Sequence, residues 1–530
     1  MPTFDLLKEP WLTCTMLDGS VERFGIESVL RDAHNIMGIA EPSPLDTFAA
    51  YRFLIAIVHW LDPIQTVQDW RKRWDGGEFP AKLLADLQDR GRQRFDLFHS
   101  DRPFYQDTTA ASEGERPVAD LRDELPSGTN VAHFRHTRDG VDGLCAGCCA
   151  LGLIRLSAFA AAGKHGKEQQ KPAGINGATP MYALPLGDTL FHTLVMNLHP
   201  SSMPVKRGDE PGWLTDAQPG VANIGCRSAF TWRPRRVWLE RPQDNAPNGQ
   251  CACCGRNEKL VKRIAFLPGW NRPFAKGTWP DDPHLLTHIE SPQRGRSSTR
   301  GKPKTSVLSF HNPSLSVDVQ ARTWRRVYRA ILQSLFVREE ARSAQHQHLR
   351  RCLEPTGHPV ADALAVFGPA ANKALYQDGT CLHWRLPRAG IQPDKAQKAT
   401  VELDWLDHVV PPSIVLAALR RKATERPDVT ACLTMIAVQA EAQTRKRFER
   451  LVEQLATGCP DAVAEWRRDA EVALEDRLDR ACAAIAPRSP LRRREQRSAV
   501  RDAMQLCIDK TQPQGTPLRE DAEQPAMDDN

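Results

Sequence analysis

The chain has 530 residues, 41% hydrophobic and 26% charged, a composition that excludes a wholly disordered, collagen-like or coiled-coil protein and leaves room for more than one domain. Lysine and arginine number 71 against 65 acidic residues, and the resulting net charge of +6 permits nucleic-acid binding without demanding it. No stretch reaches the roughly 18 consecutive apolar residues that span a bilayer, and charged Asp5, Lys8 and Glu9 stand where a signal peptide would be apolar, so the sequence predicts a cytoplasmic protein without a membrane partner.

Trp11 to Met16 followed by Asp18-Gly19 predicts a strand entering a turn, with Val21 opening the return. Ser43 is a predicted N-cap with Pro44 at the first helical position, and Phe53, Leu54, Ile57, Val58 and Leu61 form a helical stripe over Thr47 to Trp60 and just beyond. Phe95 to Phe104 reads as a strand-to-turn segment that packs its aromatic side chains. Leu151 to Ala162 predicts a helix, and Met181 to Leu184 and Val237 to Leu239 predict strands, among many Gly and Pro breaks and long loops. Lys164 to Lys171 carries three lysines and a histidine against one glutamate, and Arg294 to Lys304 carries five basic residues and no acid; the second is expected to be mobile.

From about residue 400 glycine becomes rare and amphipathic helices are expected. One begins at Pro411-Pro412-Ser413, one carries Phe448, Leu451, Val452 and Leu455, one runs from Val463 through Trp466 to Ile485, and a last one holds Ala499 to Cys507. Short connections between them predict antiparallel neighbours in a bundle. The polar, acidic tail is expected to be disordered.

The 14 cysteines should stay reduced in the cytoplasm, so clustered ones point to a metal before a disulfide. Cys145-Ala-Gly-Cys148 and Cys251-Ala-Cys253-Cys254 each contain a CxxC, the spacing that lets two thiolates converge on one tetrahedral ion, with Gly147 and Gly255 inside or beside them. The pairs predict one structural zinc site made by Cys145, Cys148, Cys251 and Cys254. Cys149 and Cys253 stand beside the pairs as alternative ligands. Buried unliganded thiols are the other reading of either pair; a thioredoxin-like redox motif would need a βαβ pattern that is not visible. The sequence contains no GxxxxGK[ST], HExxH or GxSxG and no GxGxxG after a strand, which favours a binding role over an enzymatic one.

The order of several blocks resembles the CasA large-subunit family of the type I-E CRISPR Cascade complex. These are Pro10-Trp11-Leu12, Tyr51 to His59, Phe98 to Gln106, Pro126 to Asn130, Leu144 to Cys148, Gly177 to Pro180, Cys251 to Gly255 and Trp279 to Pro283, spread over roughly residues 5 to 510. The resemblance implies an α+β chain: a large mixed α/β N-terminal domain with the zinc site over 1–395, an all-α four-helix bundle over 396–512, and a disordered tail over 513–530. It implies a non-enzymatic subunit that reads the protospacer-adjacent motif (PAM) of double-stranded DNA through the minor groove, helps open the duplex into an R-loop, and recruits the helicase-nuclease. Its partners would be crRNA, target DNA, and the backbone, small and crRNA-processing Cascade subunits. Carried over residue by residue, Gly163, Lys164, His165, Gly166 and Lys167 match the glycine-containing minor-groove loop. Asn271 and Arg272, with Lys276 behind, match a basic finger. Asn372-Lys373 stands where the family has an Asn-Gln wedge. Phe134-Arg135-His136 matches a segment near the crRNA 5′ handle. A large subunit of another class 1 CRISPR subtype, or a zinc-ribbon hydrolase, are the competing readings.

Overall fold

Alternating apolar and polar residues close the expected N-terminal hairpin in the computed structural model, which describes residues 4–122, 143–160, 163–165, 169–171, 174–176, 180–271, 282–288, 313–342, 344–353, 362–367, 381–384, 391–409, 443–470, 472 and 476. β1 (Leu12–Met16) pairs antiparallel with β2 (Val21–Phe24), Thr15 opposite Val21, across a turn where Gly19 takes a φ of 85° that suits glycine. After α1 (Ile26–Arg31), β3 (Ile36–Ile39) adds to the other edge of β1. Ser43 and Pro44 open α2 (Pro44–Leu61) as expected, and the helix is buried all round from Leu45 to Leu61. A helix without a polar face can only be central, and α2 is the post around which this unit packs.

Two amphipathic helices follow, α3 (Val67–Gly76) and α4 (Ala81–Gly91). They bury Trp70, Leu83 and Leu87, and the Trp70 indole N–H donates to the Val195 carbonyl at 2.7 Å. The aromatic segment Phe95–Phe104 packs as expected but as turns, with only an isolated bridge from Asp96 to Asp5 in place of a strand. Phe53 of α2 meets Phe95, Phe104 and Trp213 edge-on at 6.2, 5.7 and 5.4 Å.

The next stretch alternates short strands and helices: β4 (Arg116–Pro117), β5 (Leu144–Cys145), α5 (Ala146–Phe159), β6 (Gly163–His165), β7 (Gln169–Lys171), β8 (Pro180–Leu186), α6 (Leu190–Met196), α7 (Cys226–Phe230) and β9 (Arg235–Leu239). Then come β10 (Gly249–Gln250), β11 (Asn257–Glu258), β12 (Leu260–Val261), β13 (Arg263–Pro268) and β14 (Leu285–His288). The 24-residue α8 (Pro313–Phe336) has no counterpart among the sequence expectations, although Trp324, Val327, Tyr328 and Ile331 form a buried stripe along it. α9 (Ala344–Leu353), β15 (Asp362–Phe367), β16 (Cys381–Trp384) and α10 (Pro393–Val409) complete the named elements. The strands form small antiparallel sheets, the larger in the orders β4-β13-β9 and β14-β8-β15-β16.

The chain divides into two compact units, one of residues 1–312, 319–397 and 452–459, the other of 313–318, 398–451 and 460–530. In the second, Leu403, Leu406, Phe448, Leu451 and Trp466 are buried, Phe448 and Trp466 meet edge-on at 5.7 Å, and Arg467 pairs with Glu402 at 2.8 Å. Residues 443–456 and 462–470 are helical, which includes the expected Phe448 to Leu455 stripe and the start of the next helix. The helix expected at Pro411, the helix at Ala499 to Cys507, the tail and the basic run Arg294 to Lys304 lie outside the described residues. Among the described residues no helix is long and apolar enough to cross a membrane.

Candidate metal centre and the adjoining hairpin

Cys145 ends β5 and caps α5: its thiol accepts from the Cys148 backbone N–H at 3.5 Å. That cap explains why α5 begins at Ala146, five residues before the apolar run suggested, and places both thiols of the first CxxC at the electropositive helix start. The helix ends at Phe159, earlier than Ala162. Gly147 lets α5 approach Trp11, whose Cβ would lie 3.0 Å from any side chain placed there.

The second CxxC sits between β10 and β11. Cys251 N–H donates to the Arg256 carbonyl at 2.8 Å, Gly255 N–H donates to the Cys251 carbonyl at 2.9 Å, and Gly255 adopts a φ of 71°, the left-handed turn a thiolate knuckle requires. β12 then pairs with β5, Leu260 opposite Cys145 and Val261 opposite Leu144, and this ladder brings the two knuckles together. Ala252 N–H reaches the Gly143 carbonyl at 3.1 Å, and Cys145 N–H donates to Cys251 Sγ at 3.3 Å.

The Sγ atoms of Cys145, Cys148, Cys251 and Cys254 all lie within 4.8 Å of one another, and those of Cys145 and Cys254 are 3.7 Å apart. A tetrahedron with metal–sulfur bonds of about 2.3 Å has sulfurs about 3.8 Å apart, so the donor set fits a closed four-thiolate ion with no position left for water. The quartet read from the spacing is the one the fold assembles. Cys149 is excluded from it: buried on α5, it turns its thiol to the Leu144 carbonyl at 3.9 Å. Cys253 is half-buried beside the quartet.

Hydrogen bonds from Cys145 and Cys148 lower the Cys254 thiol to about 5, and bonds from Cys145, Cys148 and Cys254 hold Cys251 well below the ordinary thiol range. Cys148, bonded to Cys145 and the second knuckle, is raised in return. Burial works to lower the Arg23 guanidinium, but its hydrogen bond to Cys254 and that group's charge raise it, so a held cation faces the cluster. Arg122 donates to the Cys148 carbonyl at 3.1 Å and to Asp46 of α2, which ties the start of α5 to the central helix.

Directly after α5 the chain forms the β6–β7 hairpin, Gly163 opposite Lys171, Lys164 opposite Gln170 and His165 opposite Gln169. Gly166 and Lys167, between the strands, lie outside the described residues. β7 lies against β13. The hairpin's exit is stapled to the end of α5: Gly174 N–H donates to the Ala160 carbonyl at 2.8 Å and Ile175 N–H to the Ser157 carbonyl at 2.9 Å. Ile175 joins Ile224, Trp232 and Trp270 in a separate buried cluster. The next residue after Trp270 is the exposed Asn271, whose backbone is held by both ends of the Gln218 amide, at 2.8 and 2.9 Å. Arg272, Phe134, Arg135, His136, Asn372 and Lys373 lie outside the described residues.

A buried polar network was not expected. Arg52 of α2 pairs with Asp282 at 2.9 Å, with side chains 1% and 0% exposed, and stacks over the rings of Phe230, Tyr182 and Phe48 at 3.8, 5.1 and 5.6 Å. Asp282 also accepts from Asn176 Nδ2 at 2.8 Å and from the His284 backbone N–H at 3.0 Å. His284, held neutral by burial and by the Arg52 charge, meets Asn197 Oδ1 at 2.9 Å, as His348 does at 3.1 Å. The signal was present: Arg52 and Asp282 belong to two of the sequence blocks that carry the family resemblance.

The family model described as CRISPR-associated protein Cse1 matches residues 5–485. A Thermus thermophilus protein described as CRISPR-associated protein CasA/Cse1 is 32% identical over 250 residues, covering 44% of this chain and 49% of that protein, so the match spans about half of the relative's length. The crystal structure of CRISPR-associated protein Cse1 from Acidimicrobium ferrooxidans superposes with a TM-score of 0.63 at 19% identity, over 97% of this chain and 100% of that one. A chain of a CRISPR RNA-guided surveillance complex gives 0.62 at 16% identity, over 95% and 100%. At such identities the structural matches establish a shared mixed α/β fold.

Proposed function

This chain belongs to the CRISPR-associated protein Cse1 family, and on that premise we propose that it is the large subunit of a crRNA-guided type I-E Cascade surveillance complex. It reads the PAM of double-stranded DNA from the minor groove, promotes duplex opening and R-loop formation, and recruits the helicase-nuclease, without turning over a substrate itself. It works in the cytoplasm with crRNA and the backbone, small and crRNA-processing subunits. The surveillance complex among its structural relatives supports this assembly.

The ion assigned to Cys145, Cys148, Cys251 and Cys254 is zinc, in a structural role. Gly163 to Lys167, Asn271 and Arg272 approach the minor groove, Asn372-Lys373 wedges the first base pairs apart, and Phe134 to His136 sits near the crRNA 5′ handle. Residues 1–395 form the motif-reading domain and 396–512 a four-helix bundle, followed by the tail at 513–530. The minor groove offers chiefly an A·T-versus-G·C distinction, which suits a slim hairpin and one or two polar probes; most of the affinity then comes from phosphates and falls with salt.

The observation that carries this reading is the continuity of one frame: a thiolate quartet caps α5, α5 ends at the hairpin root, and that root packs against the strand extension bearing Asn271. The test is to assemble the crRNA-bound complex with and without this chain and to measure binding to duplexes that differ only in the bases flanking the target. Selectivity for the flank should need the chain. Equal selectivity without it overturns the proposal.

A further inference from the structure

We propose that His199, Arg71 and Arg351 form a binding site for one phosphate of a nucleic-acid backbone, at the turn that follows α6. The inference rests on the nucleic-acid-reading function above and adds to it an anchoring contact, of the kind that fixes position on a strand and carries no sequence information.

The site is built around a histidine with a donor to spare. His199 is 3% exposed and meets the Trp70 indole of α3 edge-on at 4.7 Å. Its backbone carbonyl accepts from the Ser202 and Met203 N–H groups, both at 2.9 Å, which closes the turn. Its Nδ1 accepts from the Ser201 N–H at 3.3 Å, so the proton of the neutral ring sits on Nε2. That Nε2 is buried, and among the described residues it has no hydrogen-bond partner. A buried donor left unmade is costly, and a ligand that brings an acceptor removes the cost.

Two cations stand beside this donor. Arg71 follows Trp70 on α3 and is exposed. Arg351 of α9 is half-buried and is anchored on the same turn, Nη1 donating to Ser202 Oγ at 3.0 Å and Nη2 to Gln347 Oε1 at 3.2 Å. Both of these acceptors are neutral, and among the described residues neither arginine pairs with a carboxylate. Burial first, then the charges of Arg351 and Arg71, push His199 down to about 4, so the ring supplies an uncharged N–H while the charges acting on it are both positive. Donors that arrive from α3, from the turn and from α9 suit the tetrahedral spread of phosphate oxygens better than a planar carboxylate. The gradation from exposed Arg71 to buried His199 lets a backbone pass over the surface and set one oxygen inward.

The experiment uses the full chain with its crRNA-bound partner subunits, and two arms read the two sources of phosphate. One arm follows association of this chain with the crRNA-bound partners, the other duplex binding by the assembled complex, each across a range of salt. In the arm that supplies the phosphate, Arg71→Gln and His199→Phe should each weaken binding by roughly tenfold. Arg71→Gln should also reduce the slope of log affinity against log salt by about 0.9 for duplex DNA or about 0.7 for single-stranded crRNA. Lys72→Gln removes the same charge from the neighbouring exposed position and should leave both arms at wild-type values. Wild-type affinity in both arms for Arg71→Gln, or for assembled His199→Phe, overturns the inference, and so does an equal effect of Lys72→Gln. If His199→Phe does not assemble, the comparison of Arg71→Gln with Lys72→Gln decides, because both positions are exposed. A wild-type complex that binds its duplex equally well without this chain would instead sink the parent reading, so the two failures are separable.

Discussion

Replacing Asp282 by leucine should destabilise the first unit by about 5 kcal/mol, and the number follows from what the carboxylate holds. It accepts two contacts from Arg52 Nη1 at 2.9 and 3.0 Å, one from Asn176 at 2.8 Å and one from the His284 backbone at 3.0 Å. Among the described residues Arg52 Nε and Nη2 lack hydrogen-bond partners, so its remaining support would be the contact of Nη1 with His284 Nδ1 at 3.4 Å and three aromatic faces. Breaking a buried pair by deleting one member costs about 3–5 kcal/mol, and the orphaned His284 N–H adds about 1 kcal/mol or more. With an unfolding entropy of about 2.1 cal/mol/K per residue over a unit of roughly 400 residues, the melting temperature should fall by about 6 °C.

The double variant Arg52→Met/Asp282→Leu removes the stranded charge and fills the space with apolar volume, so it should recover at least about half of the loss. Tryptophan fluorescence during urea or thermal unfolding reports both, because Trp213 packs on the same face of α2 as Phe53. A cost under about 1 kcal/mol for Asp282→Leu, or a double variant as poor as the sum of the single ones, would refute the account of a desolvated, mutually dependent pair.

Three further outcomes are expected. His59 donates from Nε2 to the Met203 carbonyl at 2.9 Å and accepts at Nδ1 from Arg227 at 3.1 Å; burial first, then the Arg227 charge, push it down from 6.5 to about 4. Between those values the unfolded chain binds a proton that the fold refuses, so stability is kept above pH 6.5 and lost as pH falls towards 4, by up to about 3 kcal/mol, and His59→Gln should flatten that slope in urea midpoints measured against pH. Cys254→Ser should release the proposed zinc to a colorimetric chelator, while Gly255→Val, with Gln250 Nε2 no nearer than 3.8 Å to its Cβ but a φ of 71°, should cost about 1–2 kcal/mol and weaken metal retention more than Gly255→Asn does. Asn372→Ala with Lys373→Ala should reduce permanganate-detected strand opening more than initial duplex association; equal effects on both would remove the wedge.

What could be read in advance was local. CxxC spacing, an N-cap followed by proline and a Gly turn between alternating residues are decided within a few positions, and the quartet, α2 and the β1–β2 hairpin formed from those signals. α5 was misplaced at both ends because its start is set by a thiol cap rather than by its apolar run. β3 is only four residues long and lies beside β1 through long-range pairing, so no periodicity announced it. α8 did carry a helical stripe, but the charged residues interspersed with it, including the buried Arg325, diluted the apolar signal along the chain.

The Arg52–Asp282 pair marks the boundary of what a single sequence can disclose. Its members are 230 positions apart, and a buried arginine is recognised only once the aromatic rings and the carboxylate around it are in place. Yet both residues lie in blocks that made the chain resemble its family, as do Trp11, whose indole bonds the Leu6 carbonyl at 3.0 Å, and Gln106, whose amide joins Leu97 to Leu239 at 2.6 and 2.9 Å. Those blocks are legible because they build the frame, where desolvated charges and close contacts allow few substitutions. A minor-groove probe faces a weaker demand, since phosphates accept any cation and a degenerate groove tolerates several small or polar side chains. If the proposed placement holds, the lysines around the hairpin glycines, and Asn372-Lys373 where the resemblance implies Asn-Gln, are the variation such a division predicts. On the proposed reading, motif preference should therefore change with the probes while the quartet and the Arg52–Asp282 pair keep the frame.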